Sequence, residues 1–388
     1  MGLMVLVSNT TKWTHKGSCL WSTVRHPPRS NMIPLQYSSR LLKRYSFLKR
    51  DPTFIYEAVN SERAQFLPYH DFYPFCSSRD RSKLWKLHRS IPSNGAMLKP
   101  FIQSHKPGEL VFMGLIPPTK GESSSQGPSF TYKKYKGDPL FAIDITRHEY
   151  MLPQADGKDS VIKCQDFRHF NDLTVDESSL LSLGKMMLHW LYTHKYCSMC
   201  GYKNDVIACG SQLKCTNHEC ESNGRITNVS FPRTDPVVIV GITNQTRDAV
   251  LLCKHKAPSA RDPKRNMYAC VSGFMDPSET IESAVLREVF EETGLDVLNV
   301  EYVTTQPWPF TNNIMIGCLA TVDDKQPVDL GHDEELVDAS WFPTSQVKQM
   351  LNSDMDSYGL LRDPVSGIGL PNDKTIANRL IKAVCQVR

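Results

Sequence analysis

The chain has no apolar run long enough to cross a bilayer; its longest, such as the Val-Val-Ile-Val-Gly-Ile run at 237–242, are the length of a strand. It also has little net charge, +4 over 388 residues, which is too small to argue nucleic-acid binding by itself. Its twelve cysteines do not form the dense framework of a small secreted domain, so a reducing compartment is implied. Cys19, Cys76, Cys164, Cys253, Cys270, Cys318 and Cys385 read as packing residues or free thiols. No internal repeat is visible. Asp and Glu are missing altogether from residues 1–50, where Lys and Arg are scattered among Ser, Thr and aromatic residues. That is transit-peptide composition and points to mitochondria; a disordered basic arm and a second start at Met32 stay open, with cytoplasm or peroxisome as the alternative compartments. The closing Gln386-Val387-Arg388 is no peroxisomal address.

What is present is ordinary globular composition, 40% hydrophobic and 22% charged, with length for two or three domains. After the leader at 1–50, residues 51–190 read as an α+β domain. Strands are expected at 110–115 and 140–145, a Gly/Ser/Pro-rich surface loop at 117–128, and an apolar-striped helix over 177–192. No chemistry shows there. Residues 191–230 hold Cys197 and Cys200, then Cys215 and Cys220, two knuckles separated by a hairpin-sized insert. Four thiolates so spaced can close tetrahedrally on Zn²⁺ as in a zinc ribbon, with no position left for water, so the metal would be structural. Cys209, His194 and His218 are rival ligands by proximity. From 231 to 388, strands are expected at 237–242, 249–254, 299–304, 314–321 and 339–342, with a closing helix at 372–385; strands alternating with helices fit an α/β sandwich.

The most informative stretch runs from Gly273 to Leu295, with six acidic residues and a single Arg. On a helical wheel Glu288 and Glu292 share the arc of Ile281, Ala284 and Val285, with Glu291 on its edge. Carboxylates beside core residues are expensive to bury without a cation. Oxygen ligands with no soft partner suit Mg²⁺ or Mn²⁺, against the blander alternative of a solvated acidic face. The flanks favour the metal: Gly273 can open a tight loop, Pro277 suits a first helical turn, Arg287 can answer Glu279, and Gly294 is a natural stop.

Gly273, Glu279, Arg287, Glu288, Val289, Glu291, Glu292, Gly294 and Leu295 match every fixed position of the Nudix box, and the chain resembles the Nudix hydrolases. The resemblance implies a Nudix α/β/α sandwich preceded by a zinc ribbon and a Nudix-like α+β domain. It further implies that Glu288, Glu291 and Glu292 hold divalent metal against a diphosphate, with Gly273, Glu279, Arg287 and Gly294 as the structural brace. Metals that neutralise phosphate oxygens and acidify a bound water lower the barrier to hydrolysis. Which Glu takes the proton is not legible.

Gln306-Pro307-Trp308-Pro309-Phe310 closely resembles the signature of the NADH pyrophosphatases, which also place a four-cysteine ribbon and an aromatic-Pro-Arg turn ahead of the catalytic domain. Two prolines stiffen a loop in which Trp308 and Phe310 shape a pocket or fill the core beneath, and Gln306 can offer a donor and an acceptor to a ligand. The resemblance implies a base-stacking role for Phe231, substrate contacts at Asn313 and Ala377, and a further metal-binding and catalytic Glu335, with Glu334 its rival. Thr305, Thr311-Asn312-Asn313 and Phe231 depart from the family pattern and soften the substrate assignment. The loop 256–266, with Arg261, Lys264 and Arg265, either guides an anionic substrate or is simply solvated.

The expected activity is metal-dependent cleavage of NADH or NAD+ to nicotinamide mononucleotide and AMP, and of NAD caps on RNA, by a homodimer without membrane attachment. A Nudix diphosphatase for ADP-ribose, a nucleotide sugar, coenzyme A or a dinucleoside polyphosphate is one alternative. An RNA-binding zinc-ribbon factor is the other.

Overall fold

The structure is a computed structural model that describes residues 35–118, 128–153, 161–165, 167–224, 230–256, 266–331 and 335–386. The 256–266 loop, the 117–128 loop and Glu334 therefore lie wholly or mostly outside the described residues, as does everything before Leu35.

The β-branched run at 237–242 builds the central strand of the C-terminal half, Asp235–Asn244. Successive side chains alternate between faces. Val238, Val240 and Ile242 pack against Ala284, Val285 and Val289 of the helix Ile281–Thr293, whereas Ile239 packs with Ile376, Leu380 and Ile381 of the helix Ile376–Val384. A helix on each face makes the expected α/β/α sandwich. Full burial of each of these Val, Leu and Ile side chains contributes about 1.5–3 kcal/mol. The mixed sheet has the order Val297–Trp308, Asn313–Val322, Asp235–Asn244, Ala249–His255, Leu336–Pro343, with Val271–Phe274 also paired to the central strand. Asp235–Asn244 runs parallel to Asn313–Val322 and antiparallel to Val271–Phe274.

The edge strand Val297–Trp308 is twice the length expected from sequence and takes in most of the Gln-Pro-Trp-Pro-Phe signature: Gln306 pairs with Met315 and Trp308 with Asn313. The signature is thus a strand end, not a stiffened loop. Pro307 is tolerated because an edge position leaves its missing N–H without consequence.

The N-terminal half holds a second six-stranded sheet, ordered Leu110–Ile116, Asp138–Asp144, Gln65–His70, Tyr73–Ser77, Val161–Lys163, with Leu87–His88 on Gln65–His70. Here too a first strand, Gln65–His70, lies parallel to a later one, Asp138–Asp144. The helix Val175–Thr193, N-capped by Thr174, buries Leu180, Leu181, Leu188 and Trp190 in this half's core. A two-stranded hairpin, Asn204–Ile207 with Gln212–Cys215, joins the halves.

One boundary needs correction. Residues 35–50 were expected within the basic leader, yet Leu35, Tyr37 and Leu48 are buried, and Lys43 exchanges backbone hydrogen bonds with Leu115 at 2.9 and 3.0 Å. Their few apolar side chains, hidden in the sequence by surrounding basic residues, find core partners, so residues 35–50 belong to the folded part of the chain. No helix among the described residues is long and apolar enough to cross a membrane.

Candidate active site and metal centres

The acidic helix starts where its sequence provides a reciprocal cap. The Thr280 hydroxyl accepts from the Ser283 N–H at 3.2 Å, and the Thr280 N–H donates to the Ser283 hydroxyl at 2.8 Å. Pro277, expected in the first helical turn, sits instead in the turn before this cap, because the Thr280–Ser283 pair fixes the start later. Gly294 ends the helix with φ 70°, a left-handed conformation that favours glycine. In between, the wheel is realised: Glu288 and Glu292 are buried, at 8% and 3% exposure, and Glu291 is exposed.

Glu288 is seated by Gly273 on the adjoining strand, which passes so close that a Cβ at 273 would lie 2.0 Å from the Glu288 carboxylate. Arg287 braces the surroundings. Its Nε and Nη2 donate to the two Glu279 oxygens at 2.7 and 2.9 Å, and Nη2 also donates to the Phe274 carbonyl at 2.7 Å. Its Nη1 donates to Glu288 at 2.7 Å and Glu291 at 2.9 Å. The Arg287 guanidinium, with the Asp276 N–H, holds the Glu279 carboxyl down at about 2. Burial raises Glu288 despite the same guanidinium, so its environment disfavours bare negative charge.

This donor set fits a hard divalent cation. Glu288 and Glu291 already turn one oxygen each toward a single positive nitrogen, Glu292 lies one turn beyond Glu288 on the buried face, and all three offer carboxylate oxygens. The carboxylates are not drawn as tightly together as the cysteines below. Glu335 is exposed just ahead of the strand Leu336–Pro343, with its carbonyl bonded to the Lys256 N–H at 3.0 Å. It exerts a charge influence on the neighbouring His255, although burial is the stronger effect and lowers that imidazole.

A cleft of about 550 Å³ opens beside Gly273's neighbour Ser272. The C-terminal half lines it with Ile239, His255 and Ser272 from its sheet and Ala377 from the helix Ile376–Val384; Trp308 and Phe310 line it as well. These two rings sit 5.0 Å apart, and each meets the buried Tyr37 edge-on. They therefore shape the cleft and fill core together. Asn313, paired with Trp308 across the strands, is buried, and its Oδ1 accepts no hydrogen bond among the described residues. Phe231 is 38% exposed and is not part of the cleft.

Gln306 does not do what its sequence position implied. It is wholly buried, its Nε2 donates to the carbonyls of Gln36 at 3.1 Å and Lys374 at 2.9 Å, and its Oε1 accepts from the Ile376 N–H at 2.8 Å. With both ends of the amide committed to backbone, it fixes the helix that carries Ala377 instead of touching a ligand. Sequence reasoning also missed the opposite wall, which is supplied by the N-terminal half: Tyr73, Phe170 and Lys185. No local pattern marks them, since they look like an apolar stripe with an ordinary lysine.

Among the described residues one group of three or more metal-ligating side chains converges to within 4.8 Å, and it is Cys197, Cys200, Cys215 and Cys220. Sγ–Sγ separations of 3.8 Å (Cys197–Cys220) and 3.4 Å (Cys200–Cys215) compare with the roughly 3.8 Å edge of a tetrahedron with Zn–S near 2.3 Å. The cluster is compatible with structural zinc. Burial opposes ionisation of Cys197, but the Ser222 hydroxyl and the N–H groups of Met199 and Cys200 outweigh it and bring the thiol to about 6. The rivals fall away: Cys209 packs in the N-terminal core, His194 bonds to the Trp190 carbonyl at 3.0 Å, and His218 is exposed.

Comparison with known proteins bears on this arrangement. A NUDIX domain match spans residues 232–363. The chain is 33% identical over 374 residues to the NAD-capped RNA hydrolase NPY1 of Saccharomyces cerevisiae, covering 90% of this chain and 95% of that one. It is 29% identical over 366 residues to the NAD-capped RNA hydrolase of Schizosaccharomyces pombe, covering 89% and 92%. Similarity to the NAD-capped RNA hydrolase NUDT12 of Homo sapiens, 35% over 207 residues, covers 53% of this chain and 41% of that one.

Proposed function

The chain belongs to the Nudix family, on the branch of the NADH pyrophosphatases and NAD-capped RNA hydrolases, and from that membership we propose that it cleaves the diphosphate of NADH or NAD+ to nicotinamide mononucleotide and AMP, and the same bond in NAD caps on RNA. The observation that carries this is the seating of Glu288 against Gly273 within reach of Arg287, next to the cleft lined by Trp308 and Phe310.

Glu288, Glu291, Glu292 and Glu335 would hold Mg²⁺ or Mn²⁺; when bound, such ions neutralise phosphate oxygens and acidify water. The protein's own residues do the rest. Arg287 keeps Glu288 and Glu291 oriented and is itself fixed by Glu279, so the acidic face is organised before substrate arrives. Trp308 and Phe310 accept one mononucleotide half against apolar surface and exclude water from it. A carboxylate of the cluster takes the proton of the attacking water. The four cysteines would hold Zn²⁺, closing a ribbon too small to fold on its own core, and a homodimer is part of the same proposal.

The test is turnover of NADH, NAD+, NAD-capped RNA, ADP-ribose and diadenosine polyphosphates side by side, with added Mg²⁺ or Mn²⁺ and products identified by mass. Release of both mononucleotides from NAD(H) supports the proposal. Clear preference for ADP-ribose or diadenosine polyphosphates would overturn the substrate, and turnover of none would overturn the activity.

A further inference from the structure

Lys185 presents a charge that no carboxylate among the described residues answers. It sits midway along the helix Val175–Thr193, only 8% exposed, on the N-terminal wall of the cleft. Among the described residues no carboxylate pairs with it. Its Nζ donates to the Phe72 carbonyl at 3.3 Å and lies 4.4 Å from the centre of the Tyr73 ring, which also lines the cleft. The other lysine near that ring, Lys163, has its charge met by Asp71 at 2.9 Å. An ammonium has three donors, so one long hydrogen bond and a ring face leave most of its capacity unused. Burying a cation without a counter-ion is costly, and a methionine or leucine would serve packing better. Burial accordingly lowers the Lys185 amine. A cation kept here against that cost calls for an anion that comes and goes with the cleft's occupant.

We propose that Lys185 is a substrate-binding residue that donates to a phosphate oxygen of the bound nucleotide, making the N-terminal half a working wall of the active site. The proposal rests on the dinucleotide-diphosphate activity proposed above. A neutral carbonyl of a base would satisfy a donor but leave the charge unanswered, whereas phosphate does both. The phosphate comes either from the diphosphate of a free dinucleotide or from the first internucleotide linkage of a capped RNA, and these sources are separable.

The experiment compares wild type, Lys185→Met and Lys185→Arg in three measurements: kcat and KM with NADH and with NAD-capped RNA, equilibrium binding of NAD+ without divalent metal by calorimetry, and the melting temperature. Losing one charge-assisted hydrogen bond weakens binding by about ten- to a hundredfold. Lys185→Met is expected to raise KM and the metal-free Kd by that factor while leaving kcat within about threefold and the melting temperature equal or higher. Lys185→Arg is expected to recover most of the affinity. Loss with both substrates places the contact at the diphosphate; loss with capped RNA alone places it at the internucleotide linkage. Wild-type KM and Kd in Lys185→Met overturn the proposal, as does a lowered melting temperature with unchanged affinity, which would make the lysine merely structural. If wild type cleaves no dinucleotide, it is the activity that fails, a result distinct from an active enzyme indifferent to position 185.

Discussion

Gly273→Ala tests the seating of Glu288 with one methyl group. That methyl would lie 2.0 Å from the Glu288 Cδ and Oε2 and 2.2 Å from Oε1, whereas non-bonded atoms settle at about 3.5–4.0 Å. The carboxylate must therefore retreat by about 1.5 Å. What moves is the end of a side chain, so the stability cost stays toward the low end of the roughly 1–3 kcal/mol typical of overpacking, a few degrees in melting temperature. Catalysis is far less forgiving. A displacement of about 1 Å in a positioned group costs on the order of 10²-fold, and here the 2.7 Å bond to Arg287 is lost as well. The expected outcome is a folded protein whose kcat/KM for NADH, at saturating Mg²⁺ or Mn²⁺, falls about a hundredfold. A Gly273→Ala enzyme within threefold of wild type would refute the reasoning that Glu288 works from this seat.

Gln306→Glu replaces a donor that serves two buried carbonyls with a carboxylate that repels them; it should destabilise the protein by about 2–4 kcal/mol in urea melts, and unchanged stability would return Gln306 to a ligand-binding role. Cys215→Ser should abolish stoichiometric zinc by elemental analysis and lower the melting temperature, as should a zinc chelator on wild type; a metal-free wild type of equal stability contradicts the ribbon assignment. Because Arg287 holds Glu279 at about 2 instead of its ordinary 4.5, their pairing adds stability that is fully present above about pH 4.5 and is lost as pH falls toward 2. Glu279→Gln should remove that part of the acid-side loss in pH-resolved melts, and an unaltered acid limb would contradict it.

The acidic site was legible because its parts are close in sequence: the spacing of Glu288, Glu291 and Glu292 fixes their face on any helix, and Gly273 and Gly294 punctuate it locally. The four cysteines were legible for the same reason. The central strands also followed from runs such as 237–242, whose apolar content admits little else. What failed was what depends on distant partners. Gln306 looks like a polar residue free for a ligand until Gln36, Lys374 and Ile376 are brought around it. The burial of Leu35 and Tyr37 is hidden within an acid-free segment, since composition says nothing about which few apolar residues find a core. Lys185 is invisible by pattern, because only the meeting of two halves of the chain turns an ordinary helical lysine into one wall of a cleft.

The central claim is that carboxylates on the helix Ile281–Thr293 act with divalent metal on a nucleotide diphosphate. Its most direct test is NADH hydrolysis by wild type and Glu292→Gln in parallel, with Mg²⁺ or Mn²⁺ added or chelated, and products resolved by mass. The account predicts AMP and reduced nicotinamide mononucleotide from metal-supplied wild type alone, with both chelation and the substitution removing nearly all of them. Full turnover by Glu292→Gln, or turnover that persists in chelator, would contradict it.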